Sequence, residues 1–205
     1  MNSAILQKNW LIIKNIPIRI HIGLLVFILL FAYMTRTILG PIIGLYIYFL
    51  NLMMEIFKED ELNESFRYIK GLPISNVIIV NSTYVSYLSL VFIAFILSGF
   101  IGLIGILFGI ELEELYSLPI VGGMLMVIYS SIIPICFRFK VKWAVGAFML
   151  YVLIYAIIFA AILFGCGIFN GNFDVKSLYM IVGAAAVVMF ILNYILAIVF
   201  VKNYK

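Results

Sequence analysis

Long apolar runs, separated by short polar connections, make up most of the chain. Six of them are long enough to cross a bilayer as helices, which takes about 20 apolar residues each. The predicted spans lie at about residues 16–34, 37–56, 82–109, 118–137, 143–168 and 177–201. The expected fold is therefore an all-α polytopic membrane protein, with six transmembrane helices in a single domain over residues 1–205.

The composition supports a lipid bilayer as the main partner. Of the 205 residues, 66% are hydrophobic and only 11% are charged, which is more apolar surface than one soluble domain can bury. The net charge of +4 could indicate nucleic-acid binding. However, the basic residues lie in short clusters between the apolar runs, which is typical of membrane topology, so no nucleic acid is expected.

The basic clusters also predict an orientation. If both termini are cytoplasmic, only Arg36 and Lys176 of the 13 lysine and arginine residues lie outside. Basic residues are enriched in the cytoplasmic loops of membrane proteins. We therefore predict a multi-pass protein of the cell membrane with both termini in the cytoplasm.

The first 15 residues show helical periodicity before the first span begins. The apolar positions are Ile5, Leu6, Trp10 and Ile13, and the polar positions opposite them are Gln7, Lys8, Lys14 and Asn15. This pattern predicts a helix that lies in the inner membrane interface, with Trp10 as its anchor. The alternative is a first span that simply starts early.

One connection is much more charged than the others, and we call residues 57–81 the charged loop. Leu62, Phe66 and Ile69 recur at helical spacing and predict a helix that starts at Glu59. Acidic residues crowd its start and basic residues close it, which suits the helix dipole. The acidic residues are Glu59, Asp60, Glu61 and Glu64, and the basic ones are Arg67 and Lys70.

A break should follow that helix. Gly71 is expected to end it, and Pro73 prevents it from continuing. Ser75 can then cap a new helix that begins at Asn76. The alternative for the charged loop is a topology determinant whose helicity is incidental, since the positive-inside rule requires only the basic residues.

Small residues follow one another along the third span. Gly102, Gly105 and Gly109 are spaced so that another helix could approach closely. Packing within the subunit and a subunit interface are both open. In the fourth span, Pro134 predicts a kink.

Groups that could carry catalysis are scarce, so the chain is not expected to be an enzyme. It has a single histidine, His21, for which we predict a hydrogen-bonded interfacial position. Glu55 is expected to pair with a basic residue rather than to serve transport. Cys136 and Cys166 fall on opposite sides of the bilayer, which excludes a disulfide between them. No cofactor or metal site is predicted.

The charged loop and the six spans resemble the membrane subunits of type 2 ATP-binding-cassette exporters, the ABC-2 permeases, in their small bacterial form. The resemblance rests on Glu59 to Glu64, Gly71-Leu72-Pro73-Ile74-Ser75, Ile79-Val80 and Tyr84. Members of the family often carry a basic residue where this chain has Asn76 and Thr83.

The resemblance implies a non-catalytic permease that moves a peptide, a drug or another amphipathic or hydrophobic molecule outward. It implies a second permease subunit, identical or paired, and two copies of a cytosolic ATPase that binds ATP and magnesium. The implied docking residues are Glu59, Asp60, Leu62, Glu64, Phe66, Arg67, Ile69, Lys70, Leu72, Pro73 and Ser75. The alternatives are an ion- or proton-coupled small carrier, and a membrane assembly protein that recruits a cytosolic partner without transport.

Overall fold

The computed structural model describes residues 2–35, 37, 39–107, 109, 118–165 and 175–202, and these ranges are helical without any strand. The helices are α1 (Asn2–Lys14), α2 (Ile18–Thr35), α3 (Leu39–Leu62), α4 (Ser65–Gly71), α5 (Asn76–Leu107), α6 (Leu118–Ser130), α7 (Ile132–Arg138), α8 (Val141–Gly165) and α9 (Val175–Lys202). The predicted all-α fold is confirmed.

Several of these helices could cross a membrane. Among the described residues, four helical segments are long and apolar enough: Leu39–Leu62, Asn76–Leu107, Val121–Arg138 and Gly183–Lys202. The segments Ala4–Lys14 and Ile18–Leu30 pass the same test together, with a 72° bend between them. The chain is thus a multi-pass membrane protein with four to five candidate spans in its described part.

The chain forms two compact units, residues 1–126 and 127–205. In the first unit, α3 and α5 pack together and both contact α1 and α2, while α4 contacts α3. The buried face of α3 repeats every three or four residues, as a helix that packs on one side requires. It includes Ile42, Leu45, Tyr46, Phe49, Met53 and Ile56.

The N-terminal helix is present as predicted, but its buried face includes a polar residue. Ile5, Asn9 and Ile13 are buried, whereas Trp10 is 39% exposed. Pro17 separates α1 from α2, because a proline has no N–H to continue a helix. Helix α1 packs on α3 and α5 through the face that contains Asn9.

The predicted single helix from Glu59 to Gly71 is wrong. Helix α3 continues through Leu62, and a new helix, α4, starts at Ser65 after Glu64 adopts a left-handed conformation with φ 50°. The sequence has no glycine or proline between Gly44 and Gly71 to end α3 earlier. The acidic cluster therefore lies at the carboxyl end of a helix, where the helix dipole does not favour it.

The break after α4 is confirmed. Helix α4 ends at Gly71, and α5 begins at Asn76. The Ile78 amide lies 3.4 Å from the Ser75 side-chain oxygen, which is the position expected for a capping serine. Leu72, the residue after α4, is extended with ψ 153°.

The predicted kink near Pro134 is confirmed in the second unit. Helix α6 ends at Ser130, and α7 starts at Ile132. The Ser131 amide donates to the Ile128 carbonyl three residues back, at 3.2 Å, instead of to Val127. The Val127 carbonyl is therefore released from the helix ladder and needs other donors inside an apolar protein.

Ser130 Oγ and Asn193 of α9 meet this need together, and Ser130 Oγ donates to the Val127 carbonyl at 2.7 Å. The Asn193 Nδ2 atom donates to Ser130 Oγ at 2.8 Å and lies 3.4 Å from the Val127 carbonyl oxygen. Its Oδ1 accepts from the Tyr151 hydroxyl at 2.5 Å, and Tyr151 lies 2.8 Å from the Tyr155 hydroxyl. This Asn193 network links the helix break to α8 and α9, and Asn193 itself is fully buried.

Candidate functional site

The charged loop presents an exposed rim where α3, α4 and α5 succeed one another. Leu62 at the end of α3 is 69% exposed, and Leu72 after α4 is also exposed. Glu64, Pro73 and Ser75 are exposed as well. Five of the predicted docking residues are therefore accessible within this stretch of the chain, and we call these five residues the loop rim.

Other predicted docking residues have different surroundings. Glu59 is half-buried and accepts a hydrogen bond from Asn63 Nδ2 at 3.0 Å. Phe66, Arg67 and Lys70 belong to α4, but their side chains lie outside the described residues. For these three, a docking role stays a prediction.

Asp60 and Ile69 face inward rather than outward. Asp60 is 5% exposed and Ile69 is 8% exposed. The predicted apolar face of Leu62 and Ile69 is split, because the two residues lie on separate helices on either side of the turn at Glu64. In this structure, Asp60 and Ile69 anchor the charged loop to the rest of its own unit.

The Asp60 carboxylate forms an ion pair with Lys8 of α1. Burial disfavours a charged carboxylate, and a nearby ammonium group compensates for that cost. One residue further along α1, Asn9 Nδ2 donates to Ser86 Oγ of α5 at 2.9 Å. These adjacent contacts join α1 to both helices that flank the charged loop. The sequence pattern had placed Lys8 on the solvated face of an interfacial helix.

The predicted roles of His21 and Glu55 agree with their contacts. His21 bonds through Nδ1 to the Tyr48 hydroxyl, and the two rings meet edge to face with centroids 5.8 Å apart. Both Glu55 carboxylate oxygens lie 3.2 Å from Lys58 Nζ. Cys136 is buried in α7, and Cys166 lies outside the described residues.

The glycines of the third span do not all share one helix. Gly102 and Gly105 are buried in α5. The helix ends at Leu107, and Gly109 follows it, exposed, with φ 89°. A positive φ favours glycine and ends helices. Gly102 and Gly105 thus lie within α5 and Gly109 lies just beyond its end, and a packing or interface role for these glycines stays a prediction.

A second feature of the first unit is an apolar groove between α3, α5 and the first part of α6. Its volume is about 710 Å³. Its lining consists of Tyr46, Val85, Leu88, Ser89, Val91, Phe92, Phe95, Gly122, Gly123 and Met126. We call this feature the α3–α5–α6 groove. Its size lies within the range of small-molecule sites, which hold about 300–1,000 Å³.

One glycine in the groove lining, Gly122, lies against the Tyr46 side chain. A Cβ atom built on Gly122 would lie 2.7 Å from the Tyr46 hydroxyl oxygen, but 3.5 Å from Phe95 and 3.6 Å from the Tyr46 ring. Only the hydroxyl is therefore too close. Gly122 lets the buried Tyr46 side chain end against the backbone of α6.

Gly122→Ala is expected to destabilise the protein by about 1 kcal/mol, at the lower end of the cost of overpacking. Tyr46→Phe should remove most of this cost, since the ring itself stays at ordinary contact distance. Gly123→Ala is the matched control, because a Cβ there meets nothing within 4 Å. The unfolding temperatures of the purified variants test the contact between Gly122 and the Tyr46 hydroxyl. If Gly122→Ala lowered the unfolding temperature equally with and without Tyr46→Phe, that result would contradict the contact.

Comparison with known proteins decides the family. A family model described as "ABC-2 family transporter protein" matches residues 4–202, which is nearly the whole chain. The chain belongs to the ABC-2 transporter family. No curated protein and no solved structure matches it. The resemblance inferred from the charged loop is confirmed.

Membership places this ABC-2 protein among membrane permeases, which are typically non-catalytic and generally work with an ATPase subunit. The match extends over the charged loop and the α3–α5–α6 groove. The groove was not predicted, because the sequence shows which residues are apolar but not which apolar helices meet. A possible signal was the Gly122-Gly123 pair inside an apolar helix.

Proposed function

We propose that this ABC-2 protein is the permease subunit of an ATP-driven exporter. It has six spans with both termini in the cytoplasm of the cell, and it acts with a second permease subunit and two ATPase copies. The cargo is an amphipathic or hydrophobic molecule that moves outward. The observation that carries the proposal is the loop rim, five exposed residues on an anchored loop in a chain whose family works with an ATPase.

Because the charged loop is attached to its own unit by buried contacts, a partner protein bound at the loop rim could move the helices next to it. Asp60 and Ile69 are buried, and Lys8 ties the end of α3 to α1. A partner that pushes on Leu62 or Leu72 would therefore move α3 and α5 rather than bend a loose connection. A loop that only set topology would need neither the buried contacts nor the capped start of α5.

The proposed docking surface combines apolar and charged residues, as protein interfaces usually do. Leu62 and Leu72 offer apolar area, and Glu64 offers a charge at the edge. We propose that Phe66 adds an aromatic anchor on α4 and that Arg67 and Lys70 help set orientation. Glu59, Pro73 and Ser75 complete the docking surface, while Asp60 and Ile69 support it from within.

Charge reversal at Glu64, Phe66→Ala and Leu62→Glu are each expected to reduce ATPase recovery at least tenfold when this chain is purified from detergent extracts. Central interface residues cost about 2 kcal/mol or more when lost, which corresponds to roughly 30-fold. Membrane insertion should not change, because Leu62 and Glu64 are exposed. The measurement is the ATPase-to-permease ratio in the purified complex, together with transport-coupled ATP hydrolysis.

Phe139→Glu is the matched control for Leu62→Glu, since Phe139 is an exposed apolar residue at the end of another helix. It should leave ATPase recovery near the wild-type level. Full recovery of the ATPase with all three loop variants would refute docking at the loop rim. If no ATPase accompanies even the wild-type chain, the exporter itself is excluded.

A further inference from the structure

The α3–α5–α6 groove holds a buried polar group in an apolar setting. Tyr46 is 2% exposed and lines the groove, and its hydroxyl oxygen lies close to Gly122. Within the described ranges of the chain, no residue forms a hydrogen bond with this hydroxyl. A buried hydroxyl without a partner is costly, most of all where no water is at hand.

Three neighbouring hydroxyls have hydrogen-bond partners within the chain. On α5, Ser89 and Ser98 each donate to the carbonyl four residues back, both at 2.8 Å. Tyr87, which is also buried, donates to the Met126 carbonyl of α6. These three hydroxyls are satisfied internally, whereas the Tyr46 hydroxyl, which belongs to the groove lining, has no such bond among the described residues.

The rest of the groove accepts apolar material. Phe92 and Phe95 line it from α5 and Met126 from α6, and the single polar side chain besides Tyr46 is Ser89, whose hydroxyl is already bonded. Pockets of this kind bind mainly apolar ligands, and a few polar groups set their orientation.

The depth of Tyr46 in the membrane limits which ligands could reach its hydroxyl with a polar group. Tyr46 lies near the middle of the predicted span 37–56, about 14 Å along the helix from one end and about 15 Å from the other at 1.5 Å per residue. The polar groups of a phospholipid stay at the membrane surface, outside a hydrocarbon core of about 30 Å. A lipid chain could fill the groove, but it would bring no hydrogen-bonding group to Tyr46.

We infer that the α3–α5–α6 groove is a cargo site for a molecule that carries a carbonyl, amide or ester within an apolar body. The Tyr46 hydroxyl donates to that oxygen, and the aromatic lining covers the apolar part. That the bound molecule is cargo rests on the proposed export function, whereas its binding depends only on this chain.

Benzophenone is a suitable probe, because it is an apolar molecule with one carbonyl and it cross-links on illumination. Saturable labelling of the purified full-length chain in nanodiscs is expected at Met126 and its neighbours, located by peptide mass spectrometry. Tyr46→Phe should raise the half-saturating concentration about fivefold, the value of one hydrogen bond. Ser89→Phe, which fills the groove from α5, should reduce labelling at least tenfold. Gly99→Ala, on α5 but outside the groove lining, is the control and should label normally.

Competition between ligands with and without a carbonyl tests the hydrogen bond to the Tyr46 hydroxyl. Fluorenone should displace benzophenone several-fold better than fluorene, which has the same shape without the carbonyl, and this preference should vanish in Tyr46→Phe. Equal competition in the wild type would overturn the role of Tyr46. Labelling unchanged in Ser89→Phe would overturn the groove as the site. Loss of labelling when the phosphatidylcholine content rises would overturn the cargo site and assign the groove to lipid chains.

These outcomes are independent of the ATPase. If probe binding fails while the ATPase still copurifies, the cargo site is wrong and the exporter proposal stands. If binding follows the expected pattern while no ATPase copurifies, the groove binds such molecules without export.

Discussion

Lys8→Met is expected to lower the free energy of unfolding by about 2–3 kcal/mol. The change keeps the apolar stem but leaves the Asp60 carboxylate buried without its cation. Removing one partner of a fully buried pair costs about 3–5 kcal/mol. We expect less here because the Lys8 side chain is 28% exposed. Unfolding of the purified protein in mixed micelles, titrated with a denaturing detergent, measures the loss.

Two further variants make this test specific. Lys14→Met changes the same helix at an exposed position and should have little effect. The double variant Lys8→Met with Asp60→Leu should recover much of the stability, because an apolar pair can replace a buried ion pair at little cost. A stability of Lys8→Met equal to that of Lys14→Met would show that the ion pair does not hold α1 to the charged loop. Retained ATPase recovery in the double variant would assign Asp60 to anchoring rather than docking.

Asn193→Leu is expected to destabilise the protein by about 2 kcal/mol. The asparagine contacts Ser130, Val127 and Tyr151 through three hydrogen bonds. Hydrogen bonds between membrane helices are worth about 0.6 kcal/mol each on average. The expected loss follows from three such bonds, and leucine keeps the volume of the side chain. The same detergent titration applies, and increased protease cleavage near the α6–α7 break should accompany the loss.

Tyr155→Phe is the control for this network. Among the described residues, its hydroxyl contacts the outer member Tyr151, so Asn193 keeps its own bonds. The expected cost is about 0.6 kcal/mol or less. If Asn193→Leu were as stable as Tyr155→Phe, the bond from Ser130 Oγ would be enough for the released Val127 carbonyl, and the break would not depend on α9.

The features that could be predicted from the sequence are local ones. Helix α4 ends at Gly71, directly before Leu72 and Pro73, and Ser75 lies beside the Ile78 amide at the start of α5, so both positions agree with the structure. Pro134 lacks an N–H wherever its helix lies, so the break near it was predictable. Apolar runs of sufficient length likewise indicate membrane helices without knowledge of their neighbours.

Contacts between distant segments could not be predicted. Lys8 and Asp60 are 52 residues apart, and Asn9 and Ser86 are 77 apart. In a soluble helix, an apolar stripe marks the packed face. In a membrane helix, the lipid-facing side is apolar too, so the pattern does not show which side packs. The end of α3 was misplaced for a related reason, since the acidic residues after Phe57 continue a helix as readily as they start one.

Helix α5 is longer than the membrane is thick. Its 32 residues extend about 48 Å, while the hydrocarbon core is about 30 Å thick. The helix therefore extends beyond the hydrocarbon core, and its first residue, Asn76, directly follows the loop rim. At 1.5 Å per residue, a tilt of about 10° about its midpoint would displace each end by about 4 Å. If the end of α5 beside Ser75 were displaced, the other end, at the opposite membrane face, would thus move by the same distance.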